Sequence, residues 1–465
     1  MSSSFSRSWR TLREAISGSQ IDYTTAPIGR AVVMLAVPMV MEMGMESIFA
    51  VADVFWVAHL GADAVATVGL TESMLTLIYT VAMGLSIGAT ALVARRIGEQ
   101  DPEGAAKAAG QSILLALLVA IATAVLAAPN AAFLLRIMGA SDDIVRTGSG
   151  FTAVMLGGNV TVLMLFMLNA VFRGAGDAAI AMRVLVVGNA LNIALGPCFI
   201  FGLGPFPELG VTGAAVATNI GRGAAVVYQG IVLARGRGRV RVRLRHLRLD
   251  TGIMHSVVRL SAAGTVQILI STASYIGLVR ILAVFGSAAL AGYTIGIRII
   301  IFALLPAFGL SNAAATMVGQ NLGAGHVGRA EQSVWTAARY NMIFLGIIGL
   351  IFLVAARSIT SIFTSDPLVQ PYAVACLRTV SLGFVFYACG MVLTQAFNGA
   401  GDTWTPTVIN LFVFWLFELP LAWVLARTLG LGPQGVFVSL TVSYSILAVV
   451  SVVLFRRGAW KTKKL

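Results

Sequence analysis

The sequence predicts an all-α polytopic membrane protein with twelve transmembrane helices in two pseudo-symmetric six-helix bundles. The 465 residues are 58% hydrophobic and only 11% charged. Charge-free segments such as 108–135 and 429–455 exceed the roughly 20 apolar residues that a helix needs to cross a bilayer. A third observation, described below, is an internal repeat. This composition excludes an ordinary water-soluble enzyme.

Charged residues and turn residues divide the chain into twelve predicted spans. In chain order these are 31–57, 64–94, 109–135, 148–171, 180–201, 211–234, 256–283, 289–318, 334–356, 372–397, 404–426 and 434–455. Lipid offers no hydrogen-bond partner to a backbone, so every span is predicted to be helical. The spans fill the chain, and we expect no separate nucleotide-hydrolysing domain.

Basic residues predict the orientation and the domain limits. Most of the 32 lysines and arginines lie beside span ends on the side of the two termini, which predicts cytoplasmic termini in an inner membrane. The basic stretch 235–248 follows a span directly, so we interpret it as a linker that faces lipid head groups rather than as an RNA-binding arm. The predicted domains are a cytoplasmic segment 1–30, an N-terminal lobe 31–234, a linker 235–255, a C-terminal lobe 256–455 and a tail 456–465.

The first segment has an apolar stripe at helical spacing, at Phe5, Trp9, Leu12 and Ile16. This pattern is typical of an amphipathic helix on an anionic membrane surface. A disordered tail is the alternative.

The chain matches itself at an offset of 225 residues. GLSIGATALVARRIG at 84–98 aligns with GLSNAAATMVGQNLG at 309–323, and FRGAGD at 172–177 aligns with FNGAGD at 397–402. Each copy contains an even number of spans, so both copies enter the membrane from the same side. A cleft between two such bundles is typical of a carrier that exposes its substrate to each side in turn.

Three acidic residues of span one are predicted to share one face. Taking Glu42 as zero, a helix places Glu46 at about 40° and Asp53 at about 20°. A charge at the centre of a membrane helix costs about 2.5–3.5 kcal/mol on insertion scales and rarely faces lipid. We therefore expect these carboxylates to face a cavity and to bind a proton or, with neutral oxygen ligands, Na⁺. A structural carboxylate capped by a neighbouring hydroxyl or amide is the alternative.

Neutral groups complete the predicted coupling site. Asn192 in span five and Thr218 in span six offer oxygen atoms, and Asp53 with Asn192 is the candidate Na⁺ site. Pro38 stands four residues before Glu42, where a missing amide predicts a bend in span one.

Further polar residues within the spans are candidates for the substrate cavity. They are Glu72, Asn159, Gln267, Tyr275 and Glu418. Each has a plainer alternative: Glu72 is solvated at the mouth of span two, Glu418 neutralises Arg298 or Arg378, and the neutral groups form interhelical hydrogen bonds.

Other chemistry has little support. The three cysteines lack metal-binding spacing and the four histidines are scattered, so we expect no enzyme activity and no cofactor beyond the coupling ion. The GAGD sequences at 174–177 and 399–402 are interpreted as tight turns with a helix-capping aspartate, because no GxxxxGK[ST] motif accompanies them.

Taken together, several motifs give a resemblance to a known family. They are Pro38 with VADVFWVAHLGADAVATVGL at 51–70, GLSIGATALVARRIG at 84–98, RGAGD at 173–177, LNIALGPCFIFGLG at 191–204, GLSNAAATMVGQNLGAG at 309–325 and NGAGDTWTP at 398–406. In this order they resemble the multidrug and toxic compound extrusion (MATE) family of secondary transporters over nearly the whole chain.

The resemblance implies a pair of six-helix bundles that expel organic cations and amphipathic drugs in exchange for Na⁺ or protons. It assigns family site residues to Asp53 and Asn192. The family often has an aspartate four residues after that asparagine, where this chain has Gly196, and some members use acidic residues in spans seven and ten, which have none here. Glu42 and Glu46 are the candidates to replace the missing ligand.

We therefore predict a monomeric antiporter that carries small cationic or amphipathic substrates, contacts membrane lipid and binds no nucleic acid. The alternative is a flippase for a lipid-linked precursor, which a strongly cationic cavity would favour.

Overall fold

The computed structural model describes residues 11–18, 21–463 and 465, and for residues 48–54 it describes the helical backbone alone. The described chain is helical and confirms the predicted fold class. Residues 11–17 form a helix. Phe5 and Trp9, which begin the predicted amphipathic stripe, lie outside the described residues.

The helices follow the predicted spans and extend most of them. Spans one to six are Ile28–Ala58, Ala62–Gly98, Pro102–Ala127 with Ala131–Ile137, Asp142–Gly157 with Asn159–Ala175, Ala178–Phe201 and Val211–Arg235. Spans seven to ten are Thr251–Ala283, Ser287–Gly323, Val327–Ser361 and Gln370–Ser381 with Phe384–Gly399. Span eleven contains Trp404–Asn410, the π-helical segment Leu411–Glu418, Leu419–Trp423 and the π-helical segment Val424–Thr428, and span twelve is Pro433–Arg457.

Span six is the most polar of the twelve. Ten helical segments of the described chain are long and apolar enough to cross a membrane, and the two halves of span ten, bent by 58°, make an eleventh. Span six falls outside this set, since it carries Asn219, Arg222 and Gln229 between apolar residues. Arg222 and Gln229 are buried, so the polar groups of this helix face protein.

The chain divides into two compact units. The N-terminal unit consists of Ala15–Gln20 and Met41–Thr265, and the C-terminal unit consists of Ile21–Val40 and Val266–Leu465 with the described part of Met1–Glu14. The beginning of span one is thus assigned to the C-terminal unit, and the beginning of span seven to the N-terminal unit. The two division points are 225 residues apart, which is the offset of the sequence repeat.

Repeated glycines adopt repeated conformations. Gly61 and Gly286, which precede spans two and eight, have φ angles of 100° and 99°. Gly176 and Gly401, in the two GAGD turns, have φ angles of 89° and 83°. Only glycine adopts such values without strain, so the two copies share the same turns as well as the same helices.

Repeated glycines also mark the closest helix contacts within each unit. A Cβ atom on Gly84 would lie 2.5 Å from the backbone of Thr265 in span seven. A Cβ atom on Gly309, 225 residues later, would lie 2.7 Å from the backbone of Met39 in span one. Both helix pairs therefore pack backbone to backbone, a contact that small residues allow in membranes.

We predict that Gly84→Ala and Gly309→Ala each lower the apparent melting temperature of the purified protein. The added methyl group meets rigid backbone, and the helices can accommodate it only by separating. Thermal unfolding followed by size-exclusion chromatography measures the effect.

Gly69→Ala is the matched control in span two, since nothing lies within 4 Å of a Cβ atom there. An exposed helical glycine replaced by alanine gains about 0.5–1 kcal/mol. Equal melting temperatures for Gly69→Ala and Gly84→Ala would contradict the close contact.

Candidate functional site

Glu42 of span one forms a buried ion pair within the N-terminal unit. Its Oε1 atom lies 2.6 Å from Nη1 of Arg173, at the end of span four, and the two side chains are 1% and 8% exposed. Within the described part of the chain, Oε2 of Glu42 has no hydrogen-bond partner. An ion pair of this kind satisfies both charges at once, whereas loss of either partner leaves a charge in an apolar interior.

Glu46, one turn further along span one, faces a second arginine. Its Oε1 atom lies 3.8 Å from Nη2 of Arg222 in span six. Arg222 donates a hydrogen bond of 3.1 Å to the hydroxyl of Tyr79 and lies 5.8 Å from the centre of that ring. Glu72 also interacts electrostatically with Arg222. These residues of spans one, two and six form one polar cluster.

Asn192 and Thr218 meet each other. Both are buried, and Nδ2 of Asn192 donates a 3.0 Å hydrogen bond to Oγ1 of Thr218. This contact joins spans five and six. Gly196, one turn beyond Asn192, packs against the indole of Trp56, since its Cβ atom would lie 3.3 Å from that ring.

Asp53 and Pro38 lie in the same continuous helix, Ile28–Ala58. The side chain of Asp53 is outside the described residues, so its role stays a prediction. Pro38 is inside the helix, which continues for twenty residues beyond it. The predicted bend at Pro38 also stays a prediction.

Three neutral candidates for the substrate cavity lie apart from this cluster. Asn159 is fully buried and donates a 2.6 Å hydrogen bond to the carbonyl oxygen of Leu156. Gln267 is 6% exposed and Tyr275 is 39% exposed. Tyr275 stacks on Tyr293, with 6.0 Å between ring centres.

Glu418 of span eleven is buried in the C-terminal unit. It is 2% exposed and accepts a 2.8 Å hydrogen bond from Oγ of Ser274 in span seven. The proposed neutralisation by Arg298 or Arg378 is not seen, since no ion pair of the described residues includes Glu418 and Arg378 donates to the carbonyl oxygen of Leu353.

The aspartates of the two GAGD turns bind the basic segments that follow each half. Asp177 accepts a 2.6 Å hydrogen bond from the backbone of Arg239 in the linker, and Asp402 lies 3.1 Å from Nζ of Lys463 in the tail. Burial raises the pKa of Asp177, although the backbone N–H and the charge of Arg239 act in the opposite direction. The predicted capping by the Asp177 side chain is wrong, because its carboxylate is turned to the linker.

Sequence reasoning missed Arg173 and Arg222. The analysis weighed only the acidic residues within spans, although an arginine there is as expensive as a carboxylate. The signal was present, since Arg222 lies in the middle of span six and Arg173 ends span four. No group of three or more His, Cys, Asp or Glu side chains suited to a metal ion occurs among the described residues.

Comparisons with known proteins agree with this architecture. A family model described as MatE matches residues 38–198 and 263–424. The chain is 27% identical over 442 residues to a "Probable multidrug resistance protein NorM" of Thermotoga maritima, covering 94% of each chain. It is 23% identical to an "FAD transporter" of Shewanella oneidensis, covering 93% of this chain and 95% of that relative.

A solved structure supports the same fold. The outward-facing conformation of "a multidrug resistance MATE family transporter of the MOP superfamily" superposes with a TM-score of 0.88 at 26% identity. The match covers 95% of this chain and 98% of that one.

We predict that Glu42→Gln destabilises the purified protein strongly. Removing one partner of a buried ion pair typically costs about 3–5 kcal/mol, because the other charge stays buried. The double variant Glu42→Gln/Arg173→Met should recover much of the lost melting temperature. Glu46→Gln is the matched control and should cost less, since that pair is longer and the Glu46 side chain is 30% exposed. Additive effects of Glu42→Gln and Arg173→Met would contradict a direct ion pair.

Proposed function

Because the chain belongs to the MatE family, we propose that it is a secondary active multidrug antiporter. It exports organic cations or amphipathic drugs in exchange for H⁺ or Na⁺ by alternating access. The observation that carries this proposal is the charged interior of the N-terminal unit, where Glu42 and Glu46 of span one lie inside a bundle of otherwise apolar helices. Charged groups at membrane depth are costly and generally serve ion or substrate pathways.

The coupling cation binds at Asp53 with Asn192 and Thr218. Asn192 and Thr218 are already in contact and offer amide and hydroxyl oxygens. The carboxylates of Glu42 and Glu46 are held by arginines in this conformation, so they contribute to cation binding only when Arg173 or Arg222 is displaced. Cation binding at span one is thereby linked to a rearrangement of spans four and six, which is what an antiporter requires.

Both termini are cytoplasmic in an inner membrane. Support comes from the basic residues beside the spans and from the linker arginines, most of which are exposed. Membrane lipid is therefore an expected partner of the linker, and a small molecule is the expected cargo.

A second candidate is an anionic cargo with a diphosphate group. Arg173 and Arg222 compensate two of the carboxylates that favoured a cationic cargo, and one relative carries the name FAD transporter. This class of cargo includes the lipid-linked precursor expected as the alternative from the sequence.

We predict that Asp53→Asn abolishes gradient-driven transport of a fluorescent organic cation into inverted vesicles. Imposing a proton gradient and a sodium gradient separately identifies the coupling ion. Glu72→Gln is the control variant, since Glu72 lies outside the proposed cation site. Full gradient-driven transport by Asp53→Asn would remove Asp53 from the mechanism.

We further predict that the unmodified chain in proteoliposomes transports the organic cation and not a flavin dinucleotide or a labelled lipid diphosphate. Accumulation of either anionic compound without the cation would favour the second candidate.

A further inference from the structure

Glu418 is a buried carboxylate that the proposed coupling site does not use. It is the last residue of the π-helical segment Leu411–Glu418, and such segments are frequent at functional sites. Its side chain is 2% exposed and lacks a cationic partner among the described ion pairs. A carboxylate at this depth is costly unless it binds a cation or a proton.

The hydrogen-bond geometry around Glu418 counts the protons. Oγ of Ser274 lies 2.8 Å from Oε2 of Glu418 and 3.0 Å from the carbonyl oxygen of Phe414. A serine hydroxyl has one hydrogen, and a carbonyl oxygen can only accept. If Ser274 donates to Phe414, the contact between Ser274 and Glu418 requires a hydrogen on the carboxyl group. An ionised Glu418 would leave one of the two contacts without a hydrogen.

The groups that face Glu418 are neutral hydroxyls. Tyr293, Tyr387 and Tyr444, from spans eight, ten and twelve, interact electrostatically with it. Tyr387 and Tyr444 stack with 3.9 Å between ring centres. The hydroxyl of Tyr293 and Oε1 of Glu418 are buried and have no hydrogen-bond partner in the described chain.

The nearest other titratable and charged groups do not supply a counter-ion. Cys376 of span ten interacts with Tyr293, and Tyr275 of span seven interacts with Arg298 of span eight, whose side chain is exposed. Arg427, further along span eleven, lies over the ring of Trp423 at 4.4 Å. The pocket is therefore suited to a neutral carboxylic acid.

We propose that Glu418 and Ser274 form a second proton-binding site, in the C-terminal unit, which is loaded with a proton in this conformation. Glu418 holds the proton, and Ser274 positions it by accepting the hydrogen bond and passing its own hydrogen to Phe414. Proton binding here does not depend on the identity of the cargo, but its part in transport rests on the proposed antiport.

Infrared spectroscopy of the full chain in liposomes at neutral pH tests the site. We expect a carboxylic acid C=O band in the unmodified protein, equivalent to a single carboxyl per chain, that Glu418→Gln removes. Ser274→Ala should retain the band and shift its frequency, because the acid loses its hydrogen-bond acceptor. Glu42→Gln is the matched control and should leave the band unchanged, since Glu42 is paired with Arg173.

An acid band that persists in Glu418→Gln, or no acid band in the unmodified protein, would overturn the proposal. If Glu418→Gln does not fold, the frequency shift in Ser274→Ala decides, and an unshifted band overturns it. These readings do not require transport, so they are independent of the Asp53→Asn vesicle experiment that tests the proposed function.

Discussion

Every charge inside a lipid-embedded bundle needs a partner, and this constraint orders the polar interior of the protein. The N-terminal unit meets it with ion pairs: Glu42 lies against Arg173, and Glu46 faces Arg222 and its hydrogen-bonded tyrosine. The C-terminal unit meets it differently, with a carboxylate surrounded by hydroxyl groups. The two halves share a fold and a repeat, yet their buried carboxylates are compensated by opposite means.

This difference gives the two halves different responses to a proton. Protonation of Glu42 would break an ion pair and leave Arg173 uncompensated, so the N-terminal unit resists it unless spans one and four rearrange together. Protonation of Glu418 completes a hydrogen-bond chain and requires no such rearrangement. A carrier with both kinds of carboxylate has one group whose titration is linked to helix movement and another that can be loaded in a closed interior.

Much of the fold could be predicted from the sequence, because apolar length and charge placement alone define membrane helices. The repeat was visible in glycine positions, and its physical basis is now evident: Gly61 and Gly286 adopt the same unusual conformation, and Gly84 and Gly309 admit backbone contacts that any side chain would block. The shared face of Glu42 and Glu46 was likewise a matter of helical geometry. Their partners were not predictable in the same way, because Arg173 and Arg222 come from spans four and six and only the tertiary packing brings them to span one.

The exchange of helix segments between the units has a consequence for biosynthesis. The beginning of span seven completes the N-terminal unit, so that unit cannot finish packing when the ribosome has translated only the first six spans. The beginning of span one in turn belongs with segments made hundreds of residues later, and it must wait in the bilayer for them. Neither half is therefore a self-contained folding module, and a chain severed at the linker would yield two fragments that each depend on the other for a missing piece.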